Sequence, residues 1–78
     1  MEIRERLSAK IREVREHLGW SQARLALEAS VPQSTISEIE QGQRIPRTDT
    51  TVRLATALGV TVSELLDEDV RPTGTDRY

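Results

Sequence analysis

"SQARLALEASVPQSTISEIEQG", residues 21–42, joins two short amphipathic patterns through only three residues, "SVP". Ser21 can cap a helix whose buried surface would be Leu25, Leu27 and Ala29, with Gln22, Arg24 and Glu28 left in water. That helix can reach no further than Ala29, because Pro32 disfavours helical backbone at Val31. The next begins at about Gln33 and stops at Gly42. Two helices joined by about three residues cannot lie antiparallel, so they cross steeply and one projects from the domain.

Outward from this joint the chain keeps the same character. Ile3, Leu7, Ile11, Val14 and Leu18 form one stripe of a preceding helix, which Gly19 is placed to end, and Trp20 reads as core at the junction that follows. The alternating charges of "REVREH", residues 12–17, read as a solvated face. After "QRIPR", residues 43–47, Thr48 or Asp49 can cap a fourth helix with Val52, Leu54, Ala55 and Leu58 as its apolar set and Gly59 as its stop. Thr61 and Glu64 have capping-box spacing and open a short fifth helix carrying Val62, Leu65 and Leu66. Strand alternation appears nowhere. The expectation is a compact all-α domain of five helices over residues 1–66, followed by a polar tail at 67–78, "DEDVRPTGTDRY", whose composition predicts disorder.

Composition narrows the chemistry. With 78 residues, one Trp, one Tyr and no Phe, a single small core must be built from Leu, Ile, Val and Ala. The absence of cysteine removes disulfides, thiolate nucleophiles and Cys-based zinc sites, and agrees with a reducing cytosol. No apolar run approaches the roughly 20 residues that span a bilayer. The start "MEIRERLSAKIREVREHLGW" has no continuous apolar segment of the signal-peptide kind. A soluble, cytoplasmic protein without membrane contact is expected. His17 is the sole histidine and falls on the polar side of the first helix, so no metal site and no nucleophile–base couple can be assembled. Neither enzyme activity nor a cofactor is expected.

The net charge of −2 argues against a nucleic-acid partner until its distribution is read. Residues 1–63 hold nine Lys or Arg against eight Asp or Glu, a net +1, whereas residues 64–78 hold two against five, a net −3. At about 100° per residue, Gln33, Ser37, Gln41, Ser34 and Glu38 share one arc of roughly 140°, with Thr35, Ile36 and Ile39 opposite. One face can dock while the other offers short hydrogen-bonding side chains, as entry into a DNA major groove requires.

The run "WSQARLALEASVPQSTISEIEQGQRIPRTDTTVRLATALGVTVSELL", residues 20–66, resembles the Cro and phage-repressor (Xre-type) helix-turn-helix regulators. The resemblance covers about Leu7 to Leu66 and rests on "SQ", "STIS.IE.G", a following Pro and "LA.ALGV...ELL". It implies a lambda-repressor-like fold with the motif formed by helices 2 and 3, and binding of double-stranded operator DNA. It also implies that Gln33, Ser34 and Glu38 read bases, and that Gln22 holds a phosphate and braces Gln33. Arg44 and Arg47 then meet the backbone or minor groove, and Arg15 pairs with Glu40 as a structural couple. Gln33 can meet adenine bidentately, Ser34 can donate or accept, and Glu38 can accept from cytosine or pair with a cation instead. Thr35, Ser37 and Gln41 are candidates for sugar and phosphate.

Two positions depart from the family: Ser30 stands where Gly is usual, and Pro32 replaces the usual capping Ser. Half-sites roughly 34 Å apart are read by two-fold dimers. The apolar residues Val60, Val62, Leu65 and Leu66 exceed what a short last helix buries within its own domain, so a homodimer through that end is expected. Repression is the simplest consequence. The competing reading is an antitoxin-like interaction module whose tail binds a partner protein, with DNA binding secondary. The sequence does not separate phage or plasmid repressors from small controller proteins.

Overall fold

Local stop signals divide the chain into five α-helices. The computed structural model describes residues 3–66, in which α1 spans Ile3–His17, α2 Gln22–Ala29, α3 Gln33–Glu40, α4 Thr48–Leu58 and α5 Val62–Leu66. No strand occurs among the described residues. The side chain of Ile3 and the tail at 67–78, on which the expectations of a stripe residue and of disorder fell, lie outside them.

The first four helices end in one backbone device, the paired reverse bonds of a Schellman motif. After α2, Ser30 N–H donates to the Leu27 carbonyl at 3.3 Å and Val31 N–H to the Ala26 carbonyl at 3.0 Å. The equivalent pairs close α1 at Gly19, α3 at Gly42 and α4 at Gly59. All three glycines have positive φ, and the fourth such position is Ser30, with φ 57° and ψ 46°. A left-handed conformation costs a residue with a Cβ about 1–2 kcal/mol. The motif's apolar contact offsets part of that, since Val31 and Ala26 are both buried. Arg53 of α4 adds a hydrogen bond from Nη1 to the Ser30 carbonyl at 3.3 Å, which ties the turn to the fourth helix.

Helix starts are less uniform. Ser21 Oγ accepts from Arg24 N–H at 3.0 Å. At α5 the capping box forms in both directions, Thr61 N–H to Glu64 Oε1 at 2.8 Å and Glu64 N–H to Thr61 Oγ1 at 3.0 Å. Neither Thr48 nor Asp49 caps α4. The helix begins at Thr48 with Arg47 at its N-cap, so the two side chains sit one and two positions past the cap and do not reach the open N–H groups. Thr51 instead closes the first turn, donating its N–H and its Oγ1 to the Arg47 carbonyl, each at 2.9 Å. Pro32 occupies the N-cap of α3 and leaves it without a side-chain cap.

The core gathers Leu7 and Ile11 from α1, Leu25, Ala26 and Ala29 from α2, Val31 from the turn, Ile36 and Ile39 from α3, Leu54, Ala55 and Leu58 from α4, and Leu65 from α5. The third helix packs against α2 and α1, the second also against α4, and the fifth closes the other end against α1 and α4. Thus α3 is gripped along one side only.

Three expected core positions are corrected, and a fourth, Trp20, packs against the core only in part. Leu27 is 76% exposed, because it lies two residues from both Leu25 and Ala29 and so on the opposite side of α2, where Ala26 rather than Leu27 completes the buried face. Val52 is exposed for the same reason. Thr51, Leu54, Ala55 and Leu58 repeat at the three- and four-residue spacing of one helix face, and Thr51 is buried in Val52's place. Leu18 lies past the end of α1 in the turn and is largely exposed. Trp20 is half-buried, with one face on the core and the Arg24 guanidinium 4.9 Å from its ring centroid.

Ser30→Gly is expected to stabilise the domain by about 0.5–1 kcal/mol, the relief of left-handed strain minus the entropy of the freer unfolded chain. In a domain this size that corresponds to a rise in Tm of about 2–8 °C, read by thermal melting followed by circular dichroism. An unchanged or lower Tm would show that the Ser30 conformation carries no strain.

Candidate nucleic-acid interface

The inward side of α3 carries Ile36, Ile39 and Glu40, all buried. Opposite them Gln33, Ser34 and Gln41 are exposed and Ser37 and Glu38 partly exposed, while Thr35, at the edge of the buried side, is also partly exposed. Gln41 Nε2 donates to Ser37 Oγ at 3.0 Å, one turn away, so these two side chains are ordered along the arc. Arg44 reaches back from the loop after α3 and places Nε 3.0 Å from Glu38 Oε1. Of the three residues expected to meet bases, Gln33 and Ser34 make no side-chain hydrogen bond with another described residue, and Glu38 already holds a cation.

What sets the direction of this face is a charged cluster behind it. Glu40, 3% exposed, accepts from Arg15 Nε at Oε2 (2.7 Å), from Arg15 Nη2 at Oε1 (3.0 Å) and from Gln22 Nε2 at Oε1 (3.0 Å). Its backbone carbonyl, at the end of α3, accepts from Ser8 Oγ at 2.9 Å and Arg12 Nη2 at 3.3 Å. Arg15 also donates from Nη1 to the Trp20 carbonyl at 2.7 Å. One guanidinium therefore joins α1, the entrance to α2 and the last turn of α3. Burial pushes the Glu40 carboxyl up, but the hydrogen bonds from Arg15 and Gln22, with the charges of Arg15 and Arg12, outweigh it and hold the group below its ordinary value. The same hydrogen bond from Arg15 to Glu40 raises the Arg15 guanidinium further.

Gln22 is differently placed from the expectation. It is half-buried and its amide nitrogen goes to Glu40, and no hydrogen bond joins it to Gln33 among the described residues. The pull is electrostatic: a buried carboxylate oxygen with one arginine hydrogen bond still has lone pairs to fill. Ser8 and Arg12 escaped notice in the sequence, and so did Arg53. The signal was present, since residues 8, 12 and 15 fall at helix-face spacing as a second, polar stripe beside the apolar one.

The cations divide sharply. Arg24 is folded onto Glu28 at 2.8 Å and over Trp20. Arg47, its side chain 88% exposed, reaches outward with Asp49 at 3.8 Å as its nearest partner. Arg44 is held by Glu38.

Residues 11–65 match the helix-turn-helix family model of Cro/C1 type. The chain belongs to the Cro/C1-type helix-turn-helix family. Several solved structures have the same fold. The restriction-modification controller protein C.AhdI from Aeromonas hydrophila is 32% identical over 80% of this chain and 94% of its own, with a TM-score of 0.77. The clp gene regulator ClgR from Corynebacterium glutamicum is 29% identical over 87% of this chain and 72% of its own, with a TM-score of 0.80. A hypothetical transcription factor, NHTF from Neisseria, is 29% identical over 83% and 75%, with a TM-score of 0.80. Among curated proteins no significant match is found. With its Cro/C1-type helix-turn-helix domain, the chain is a DNA-binding transcription regulator. No helix among the described residues is long and apolar enough to cross a membrane.

Because Glu40 gives up its proton more readily folded than unfolded, its contribution to stability is complete above the ordinary value of about 4.5 and is lost as pH falls through the lower, folded value. Thermal melts should show this loss in the wild type. Glu40→Gln, which strands the Arg15 charge, should cost about 3–5 kcal/mol at neutral pH and flatten the acid limb. An acid limb of unaltered slope in that variant would place the responsible carboxylate elsewhere.

Proposed function

We propose that the chain is a repressor that reads an inverted-repeat operator through the major groove as a homodimer. The observation that carries this reading is the division of α3, whose buried side is fixed by Ile36, Ile39 and the Glu40 cluster while its outward arc presents amide and hydroxyl groups. In this reading Gln33 and Ser34 meet base edges. Thr35, Ser37 and Gln41 approach sugar and phosphate, and Arg47 supplies the free cation for the backbone. Gln22 contributes its backbone N–H at the first turn of α2, where the Ser21 cap takes only the Arg24 N–H, while its side chain stays on Glu40. With so few cations on this face, one domain binds weakly and two must act together.

Of the four residues expected at the dimer surface, Leu65 is 0% exposed and belongs to the core. Val60, Val62 and Leu66 are half-buried against it. Beside the last two lies a depression of about 250 Å³ lined by Leu7, Ile45, Pro46, Thr48, Thr51, Val62 and Leu66, with Ile45 54% exposed at its edge. An apolar edge of this kind is suited to a second copy of the chain. Obstruction of polymerase by a compact dimer makes repression the simplest outcome.

Selection of bound sites from a random duplex library tests the reading, and an inverted repeat with half-site centres one helical turn apart is the expected result. Enrichment of no duplex would end it. Gln33→Ala should cost about 1–3 kcal/mol on the selected site and little on random DNA; equal losses on both would remove Gln33 from the base readers. Ile45→Glu together with Leu66→Glu should give monomers in sedimentation at micromolar concentration, whereas a persisting dimer would put the interface on another face.

A further inference from the structure

We infer that Arg44 is a base-reading residue selecting guanine and that Glu38 is the positioning residue that aims it, rather than Glu38 reading a base and Arg44 holding phosphate. The inference rests on the DNA-binding reading above and extends it to a named letter.

Glu38 stands on the outward arc of α3, one turn beyond Ser34, and Arg44 Nε lies 3.0 Å from its Oε1. Both side chains are about half-exposed, so the pair sits at the surface that α3 offers and not behind it. No other described cation is held by a side chain of that arc: Arg12 and Arg15 serve Glu40, Arg24 serves Glu28, Arg53 serves the Ser30 carbonyl, and Arg47 has only Asp49 nearby.

The Arg44 guanidinium faces the Glu38 carboxylate as an ion pair without a directed hydrogen bond, and its two terminal amino groups hydrogen-bond to no other described residue. Those two N–H donors form a planar fork that matches the O6 and N7 acceptors of guanine. A phosphate could use the same fork, but it would have to approach a guanidinium that already has a carboxylate against it, bringing two negative groups together. A base edge carries only partial charge and avoids that repulsion. The carboxylate also restrains a side chain that would otherwise lose its rotamer freedom on binding. Glu38 itself has an oxygen turned to a cation and is poorly placed to accept from cytosine. A carboxylate on a groove-facing helix, otherwise unfavourable beside phosphates, thus gains a purpose.

The test uses the full chain and its Arg44→Lys, Arg44→Ala and Glu38→Gln variants. Each is first checked for helical content and melting. Sites are selected from a random duplex library with the wild type, and all four chains are then titrated with duplexes that carry each of the four letters at each position where the selection enriches guanine. The wild type should favour guanine by about ten-fold or more, and both Arg44 variants should bring the four letters within about three-fold of one another. Glu38→Gln should lower the guanine preference several-fold while affinity for random DNA holds or rises, because a negative charge has gone.

Equal weakening of all four duplexes by Arg44→Ala would make Arg44 a phosphate contact and overturn the inference. So would a guanine preference unmoved by Glu38→Gln, or loss of a cytosine preference in that variant. A wild type that enriches no duplex removes the DNA-binding reading itself, and the inference with it; enriched sites whose letters ignore Arg44 remove the inference alone.

Discussion

The attitude of the recognition helix depends on one buried carboxylate. Hydrophobic burial holds α3 to the domain through Ile36 and Ile39, but it has no direction, and two side chains on eight residues leave rotation about the helix axis weakly defined. Hydrogen bonds supply the angle. Glu40 takes them from Arg15 and Gln22 at its carboxylate and from Ser8 and Arg12 at its carbonyl, and Arg15 in turn takes the Trp20 carbonyl. Its last turn is thereby fixed against the middle of α1 and the entrance of α2 together. Burying a charge pair is costly in itself, and its value here lies in where it points the opposite face of the helix.

Several of the described cations are engaged within the domain itself. Arg12 and Arg15 are committed to the interior cluster, Arg24 lies over Trp20, and Arg53 anchors the turn at Ser30. The outward face of α3 is mostly amide and hydroxyl in character, with the Glu38–Arg44 pair on it and Arg47 extended beside it. In the proposed reading, recognition on such a surface depends on hydrogen-bond geometry more than on attraction, and geometry is what the Glu40 cluster secures.

The fold was largely written in its stop signals. Gly19, Gly42, Gly59 and the Pro32 restriction mark four helix ends, and the Thr61–Glu64 box marks a start, because each acts through two to six neighbouring residues. Burial was harder to read where apolar residues crowd a short helix. In "LALEA", residues 25–29, both Leu25 and Leu27 look like core, and only the position of α3 and α4 decides that Ala26 takes the second place. The outward arc of α3 followed from periodicity alone, whereas its charged support did not. The Arg15–Glu40 couple came from family resemblance, and the diversion of Gln22 to Glu40 depends on a contact across eighteen residues that no local spacing encodes. Leu65 was misread because the apolar content of α5 says nothing about how much of it α1 and α4 cover.

The separation of the two sides of α3 has a further meaning. Gln33, Ser34 and Gln41 are exposed and their side chains hydrogen-bond to none of the described residues that orient the helix, so exchanging them should leave the scaffold's free energy nearly unaltered. If these residues read the operator, as proposed, the domain acquires a new address on the genome by a few surface replacements, without passing through unstable intermediates. Descendants of one such ancestor could diverge in their targets while their interiors stay interchangeable.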